Sequence, residues 1–139
     1  MNLLFNKAKG FALPNTLYQL LNEEYLNAPI PTKELKAIVF NFRDPDYSPE
    51  AGGYHPVEIR LEKRGEKWEL VYITDFSYQG SPYPELVKEV DICFITKKVF
   101  NFFVNGFLKY QAGSMVSLLV NNFVAYHKRG VYQVSVIYE

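Results

Sequence analysis

Val57, Ile59 and Leu61 alternate strictly with Glu58, Arg60 and Glu62, and that pattern leaves few folds open. A side-chain period of two describes a strand with one dry face and one wet face. Such strands belong to antiparallel sheets that are covered on one side. Lys63-Arg64-Gly65-Glu66-Lys67 follows as a hairpin connection, so a second strand, Trp68 to Asp75, returns beside the first. This return strand is the more apolar of the two, as a central strand with both faces covered would be.

The same reading extends in both directions. Ile38, Phe40 and Phe42 alternate with Val39, Asn41 and Arg43, and Glu89 to Thr96 places Val90, Ile92 and Phe94 on one face. Thr96-Lys97-Lys98 turns that strand into another, Val99 to Leu108, where Asn101, Asn105 and Gly106 interrupt the aromatics. Val131 to Tyr138 alternates again and ends the series. Leu17, Leu20, Leu21 and Tyr25 follow helical spacing behind Pro14-Asn15-Thr16, and Ala28-Pro29-Ile30-Pro31 stops that helix. Ser114 reads as the N-cap of a second helix, with Met115, Leu118, Leu119, Phe123 and Tyr126 on one face and Gly130 at C′. Strands in a run with helices at the ends predict an α+β fold. The expected architecture is an antiparallel sheet of about six strands, a meander plus a C-terminal strand, packed by two helices. The 139 residues suit a single domain over 1–139.

Composition narrows the function classes. Fifteen basic residues balance fifteen acidic ones, which argues against nucleic acid, whose binders draw affinity from neutralised phosphates. Cys93 is the single cysteine, so neither an internal disulfide nor a thiol cluster is expected. Met1-Asn2-Leu3-Leu4-Phe5-Asn6-Lys7 is no signal peptide, and no stretch approaches the roughly 20 apolar residues of a membrane span. The expectation is a cytoplasmic protein with no membrane partner, no cofactor and no metal.

Two polar, aromatic loops stand out from this scaffold. One runs from Arg43 to His55, the other from Asp75 to Glu85. In a meander, alternate connections lie at the same end, so the tips of these loops should sit about 10 Å apart, two strand spacings. The shared pole gathers Arg43, Asp44, Asp46, Tyr47, His55, Asp75, Tyr78, Gln79 and Tyr83 as candidate ligand-binding residues. Arg43 offers a bidentate donor for a carboxylate or phosphate. Asp75 and Gln79 would orient a ligand, and Tyr47, Tyr54, Tyr78 and Tyr83 would supply contact area.

The segments Asn41 to Ser48, Gly52 to Glu62 and Tyr72 to Tyr78 resemble a bacterial family, domain of unknown function 2787. Its members are small proteins met often in marine gammaproteobacteria and on mobile elements. The likeness is dense from Asn41 to about Phe94 and looser through Asn122-Phe123 and Gly130 to Val134. The second helix departs most: the resemblance implies a Trp there, and Leu118-Leu119-Val120 holds none. The resemblance implies no activity.

Spacing separates the specific chemistries that these residues could carry. Asp44, Asp46, Ser48 and Glu50 alternate like calcium-loop ligands, but Pro49 and His55 occupy the positions that need Gly and Glu. Asp-Pro-Asp and Ser-Pro are better read as turn starters. Gly52-Gly53 lacks the Lys-Ser/Thr of a phosphate loop, and Ser77, Ser81 and Cys93 lack the context of a nucleophile. His127 at a helix C-terminus is explained by the dipole. His55 beside Asp44 or Asp75 would form an acid–base pair. The leading expectation is a non-enzymatic recognition module that holds a protein or small polar ligand at the tyrosine-rich pole. The alternative is a small hydrolase or isomerase using His55 with Asp44 or Asp75. A deep pocket with His55 within hydrogen-bond reach of either carboxylate is the feature that separates them. A homodimer through the Tyr132-to-Tyr138 edge is a third expectation.

Overall fold

The computed structural model describes residues 2–104, 106–108 and 112–139. Its elements are α1 (Asn15–Asn27), β1 (Ala37–Arg43), β2 (Val57–Arg64), β3 (Lys67–Gln79), β4 (Glu85–Cys93), β5 (Lys98–Asn101), β6 (Gly106–Leu108), α2 (Ala112–Lys128) and β7 (Gln133–Tyr138). All seven strands form one antiparallel sheet in the order β6-β5-β4-β3-β2-β1-β7. The meander is therefore real, and the C-terminal strand closes its far side against β1. Among the described residues no helix is long and apolar enough to cross a membrane.

Both helices contribute to one core against the sheet. Leu17 and Leu21 of α1 and Val116 and Val120 of α2 are fully buried with Phe40, Phe42, Ile59, Ile73 and Ile92. Phe42 is the node: its ring packs on Phe40, and edge-on against Phe123, His127 and Tyr132. His127 does more than face a helix dipole, because its Nε2 lies 2.8 Å from Glu24 Oε2 and ties α2 to α1. The opposite face of the sheet carries the charged half of the alternation, with Arg60 bridging Glu62 and Glu139 at 3.0 Å each.

The α+β class and the antiparallel sheet agree with the sequence reading, and three boundaries move. The stretch Val99 to Leu108 is two strands, which raises the count from about six to seven. Asn101 Oδ1 accepts the Phe103 N–H at 2.9 Å, and a 3-10 turn over Phe102–Val104 breaks the ladder there. A side chain that satisfies the backbone locally competes with strand pairing; Asn105 lies outside the described residues. The second helix begins at Ala112, so Ser114 sits inside it instead of capping it. Finally, β3 runs on to Gln79 and β4 starts at Glu85, so Asp75 to Gln79 belong to the sheet and not to a loop.

The tyrosines offered for a dimer edge turn inward. Tyr138 donates its hydroxyl to the Pro29 carbonyl at 2.5 Å, and Tyr132 packs on Phe123. Truncating Phe42, which is completely buried at the junction of sheet and α2, should be costly. Phe42→Ala is expected to lower stability by about 3–5 kcal/mol in urea denaturation, and a loss below about 1 kcal/mol would contradict its nodal role.

Candidate functional site

The site begins with the strand overhang. Val57 of β2 pairs with Asp75 of β3, and β3 continues four residues further, to Gln79. The long β1–β2 connection folds back along this overhang. Phe76 N–H donates to the Pro56 carbonyl at 2.9 Å, and Tyr78 N–H donates to the Tyr47 hydroxyl at 3.1 Å. The Tyr47 ring lies 5.1 Å from that of Tyr78 and 5.4 Å from that of His55. The two loop regions thus meet, as strand direction requires.

Asp44 organises the connection. Its Oδ1 accepts the Asp46 N–H at 2.9 Å and its Oδ2 accepts the Tyr54 N–H at 3.0 Å. Its oxygens are thus engaged by the loop's own amides, as the turn reading of Asp-Pro-Asp expects. Ser48 and Gly52 then pair as a small hairpin, through bonds of 2.9 and 3.3 Å. Gly53 has φ +138, and a Cβ there would lie 2.8 Å from Asp44 Oδ2 and 3.0 Å from Tyr47 Cα. Only glycine lets the chain pass this close to the carboxylate.

The path past Gly53 delivers His55 to Asp75. His55 Nδ1 is 3.2 Å from Asp75 Oδ2, while Asp75 Oδ1 accepts the Val90 N–H at 2.9 Å. Asp75 faces the core side of the sheet between Val57 and Val90 and is itself buried. A third group joins through an irregularity. Asp75 pairs with Val90 but Phe76 pairs with Lys88, so Glu89 is the extra residue of a β-bulge. Bulges re-aim side chains, and Glu89 Oε1 reaches to 3.9 Å from His55 Nδ1.

The electrostatics follow from this arrangement. The hydrogen bond to Asp75 raises the His55 pKa above its usual value near 6.5; partial burial opposes the shift, and the negative charges of Asp75 and Glu89 add to it. Burial is also the main reason that the Tyr132 phenol is held neutral far above the usual range, with Tyr126, Asp75, Tyr54 and Asp44 adding to the effect.

These groups form the polar end of a cavity of about 500 Å³. The apolar walls are Val57, Val90, Met115, Leu119 and Phe123, and Tyr54, Tyr126 and Tyr132 line the aromatic side. Tyr54 stacks edge-on against Tyr126 of α2, 4.7 Å between centroids, which joins the loop to the helix. On its other side His55 borders a more polar cleft with Tyr47, Gly52, Tyr78 and Gln79.

Of the nine residues proposed from sequence, His55 and Asp75 are joined directly, with Tyr47 and Tyr78 packed around them. Gln79 donates to Ser77 Oγ at 2.9 Å and lines the second cleft. Asp44 and Asp46 shape the loop. Arg43 is exposed, and strand alternation sets it on the face opposite Phe42; Tyr83 is 85% exposed, beyond both cavities. Neither lines the cavity beside His55. Sequence reasoning missed Glu89, because the Val90-Ile92-Phe94 alternation assigns it to the outer face and hides the bulge. It also left the α2 face as core alone, although Met115, Leu119 and Phe123 wall the cavity.

Fold and site together define an α+β protein, with two α-helices among the described residues and a cavity at one end of its sheet. The chain belongs to the family described as Protein of unknown function (DUF2787), whose model matches residues 15–137. The structure is similar to that of the hypothetical protein VC0508 from the Vibrio cholerae VSP-II pathogenicity island, with 29% identity, 99% of each chain covered and a TM-score of 0.88. It is also similar to VC1805 from pathogenicity island VPI-2 of Vibrio cholerae O1, with 29% identity, 96% of this chain and 100% of that one covered, and a TM-score of 0.77. VC1805 is described as sharing structural homology with the human P32 protein. Comparison with curated proteins finds no match.

Two outcomes test the geometry. Because the folded His55 pKa is raised, its interaction stabilises fully below about pH 6.5 and is lost as pH rises through the higher folded value. An NMR titration should place the His55 midpoint above 6.5, and Asp75→Asn should lower it; an unchanged midpoint would show that the hydrogen bond does not form. Gly53→Ala should cost about 1–3 kcal/mol in thermal or chemical denaturation and displace Tyr47 and His55, whereas Gly52→Ala, strained by its φ of +72 but with open space around its Cβ position, should lower stability without displacing their resonances.

Proposed function

We propose that this protein binds a small amphipathic molecule in the cavity between α2 and the β2–β3–β4 end of the sheet. One observation carries the reading: a cavity of about 500 Å³ whose walls are mainly apolar and aromatic, with the amides of Asn101 and Asn122 among them, and whose ionisable groups gather at one end, His55, Asp75 and Glu89. Ligand sites commonly combine this size range with a few convergent polar groups. The apolar body of the ligand lies against Leu119 and Phe123, and its polar end meets the histidine and carboxylates. Tyr132, neutral at physiological pH, offers a phenol to the same space. The exposed tyrosine-rich pole is the weaker alternative, because Tyr47, Tyr54 and Tyr78 spend their faces on neighbouring rings.

A protein-observed NMR screen with small amphipathic fragments tests this. Hits should shift Val57, Val90, Leu119 and Phe123 together, and Leu119→Trp, which fills the cavity, should weaken them by about tenfold or more. Arg43→Ala and Tyr83→Ala should leave them bound. The opposite pattern, binding lost with Arg43 or Tyr83 and kept in Leu119→Trp, would move the function to the loop surface.

The His55–Asp75 hydrogen bond supports a second reading, acid–base chemistry on the bound molecule. Asp75 would orient the ring and His55 would exchange the proton. Turnover of a bound fragment that disappears in His55→Asn, with binding retained, is the result that distinguishes this reading from recognition alone.

A further inference from the structure

We infer that His55 Nδ1, Asp75 Oδ2 and Glu89 Oε1 form a three-ligand site for a divalent transition-metal ion of the Zn²⁺ class, open to the cavity. The inference goes beyond small-molecule binding and does not depend on it. The three donor atoms all lie within 4.8 Å of one another. The His55–Asp75 separation is 3.2 Å and the His55–Glu89 separation 3.9 Å. Ligands at the usual Zn–N and Zn–O bond lengths around a tetrahedral ion stand about 3.4 Å apart. The first pair is already at that spacing, with the ion taking the place of the proton between them; the second pair is wider, and Glu89, within 4.8 Å of Asp75, moves inward to complete the set.

Charge points the same way. Two carboxylates converge on one imidazole at the end of an apolar cavity, and among the described residues no Lys or Arg forms an ion pair with either. Even a protonated His55 balances only one of them. A bound cation supplies the missing positive charge in a partly desolvated place where it is costly to leave unbalanced. One nitrogen and two oxygens are a donor set for borderline ions such as Zn²⁺ or Fe²⁺, less so for Ca²⁺, which takes more oxygens.

The support around the ligands is that of a built site. Asp75 is fixed by the Val90 N–H on its other oxygen, the outer-sphere bond that orients a ligating carboxylate. Glu89 reaches the site because of the bulge, and the ring of Tyr47 lies against that of His55. Three protein ligands leave a coordination position for water or a ligand atom, as catalytic and substrate-binding metal sites do.

Isothermal titration of chelator-treated protein with Zn²⁺ alone, followed by NMR of the His55 ring, tests the site. Wild type should bind one ion and shift the His55 resonances. Glu89→Gln and His55→Gln should each weaken binding by about tenfold or more, while circular dichroism confirms that both remain folded. His127→Gln removes the separate His127–Glu24 pair, and Cys93→Ser removes the thiol; neither should change the affinity. Leu119→Trp should leave Zn²⁺ binding intact even where it abolishes fragment binding, so the two readings fail separately. No saturable binding to wild type, or binding that survives both Glu89→Gln and His55→Gln, would overturn the inference.

Discussion

A carboxylate on the core side of a central strand has to be satisfied from within the protein, and much of the site follows from how Asp75 meets that demand. In the register, Asp75 stands between Val57 and Val90, where a simple alternating strand would hold an aliphatic residue. Leaving a carboxylate there without partners would cost several kcal/mol. One oxygen takes a strand amide, the other takes His55, and the loop that carries His55 is held in place by Asp44, Gly53 and Tyr47. The polar end of the cavity is therefore fixed by the sheet and does not depend on loop conformation alone.

The scaffold was legible because its residues repeat with period two or follow helical spacing, and burial enforces both patterns. Val57, Ile59 and Leu61 face the core as their alternation demands. The pole was legible too, because antiparallel pairing of consecutive strands brings the β1–β2 and β3–β4 connections to one end. What could not be read was the depth of the site. Asp75 looked like the start of a loop because it is polar and follows an apolar run, yet it is paired on both sides. Glu89 could not be placed, since a bulge adds one residue without marking the sequence. Nor do periodic patterns reveal that Leu119 and part of Phe123 also wall an open space, because a cavity is a property of three dimensions.

The tyrosines show how the same residue type serves two ends. Their rings at positions 47, 54 and 78 hold the long connection against the sheet and α2, work that a loop of this length needs if it is to present His55 in one orientation. Tyr83, at the tip of the β3–β4 hairpin, packs on nothing comparable and stays in solvent. A sequence rich in loop aromatics is thus compatible with an interior binding site as much as with an adhesive surface. Counting rings does not separate the two, whereas their stacking partners do.

The pairing of β1 with β7 has a consequence for biosynthesis. Ile38 to Arg43 take their second hydrogen-bonding partner from Gln133 to Tyr138, and Lys36 and Ala37 donate to the Glu139 carbonyl. A nascent chain leaves the ribosome from its N-terminal end, so β1 would wait with one flank unpaired while about a hundred further residues are made. Until the last strand arrives, that flank is an open template for another chain.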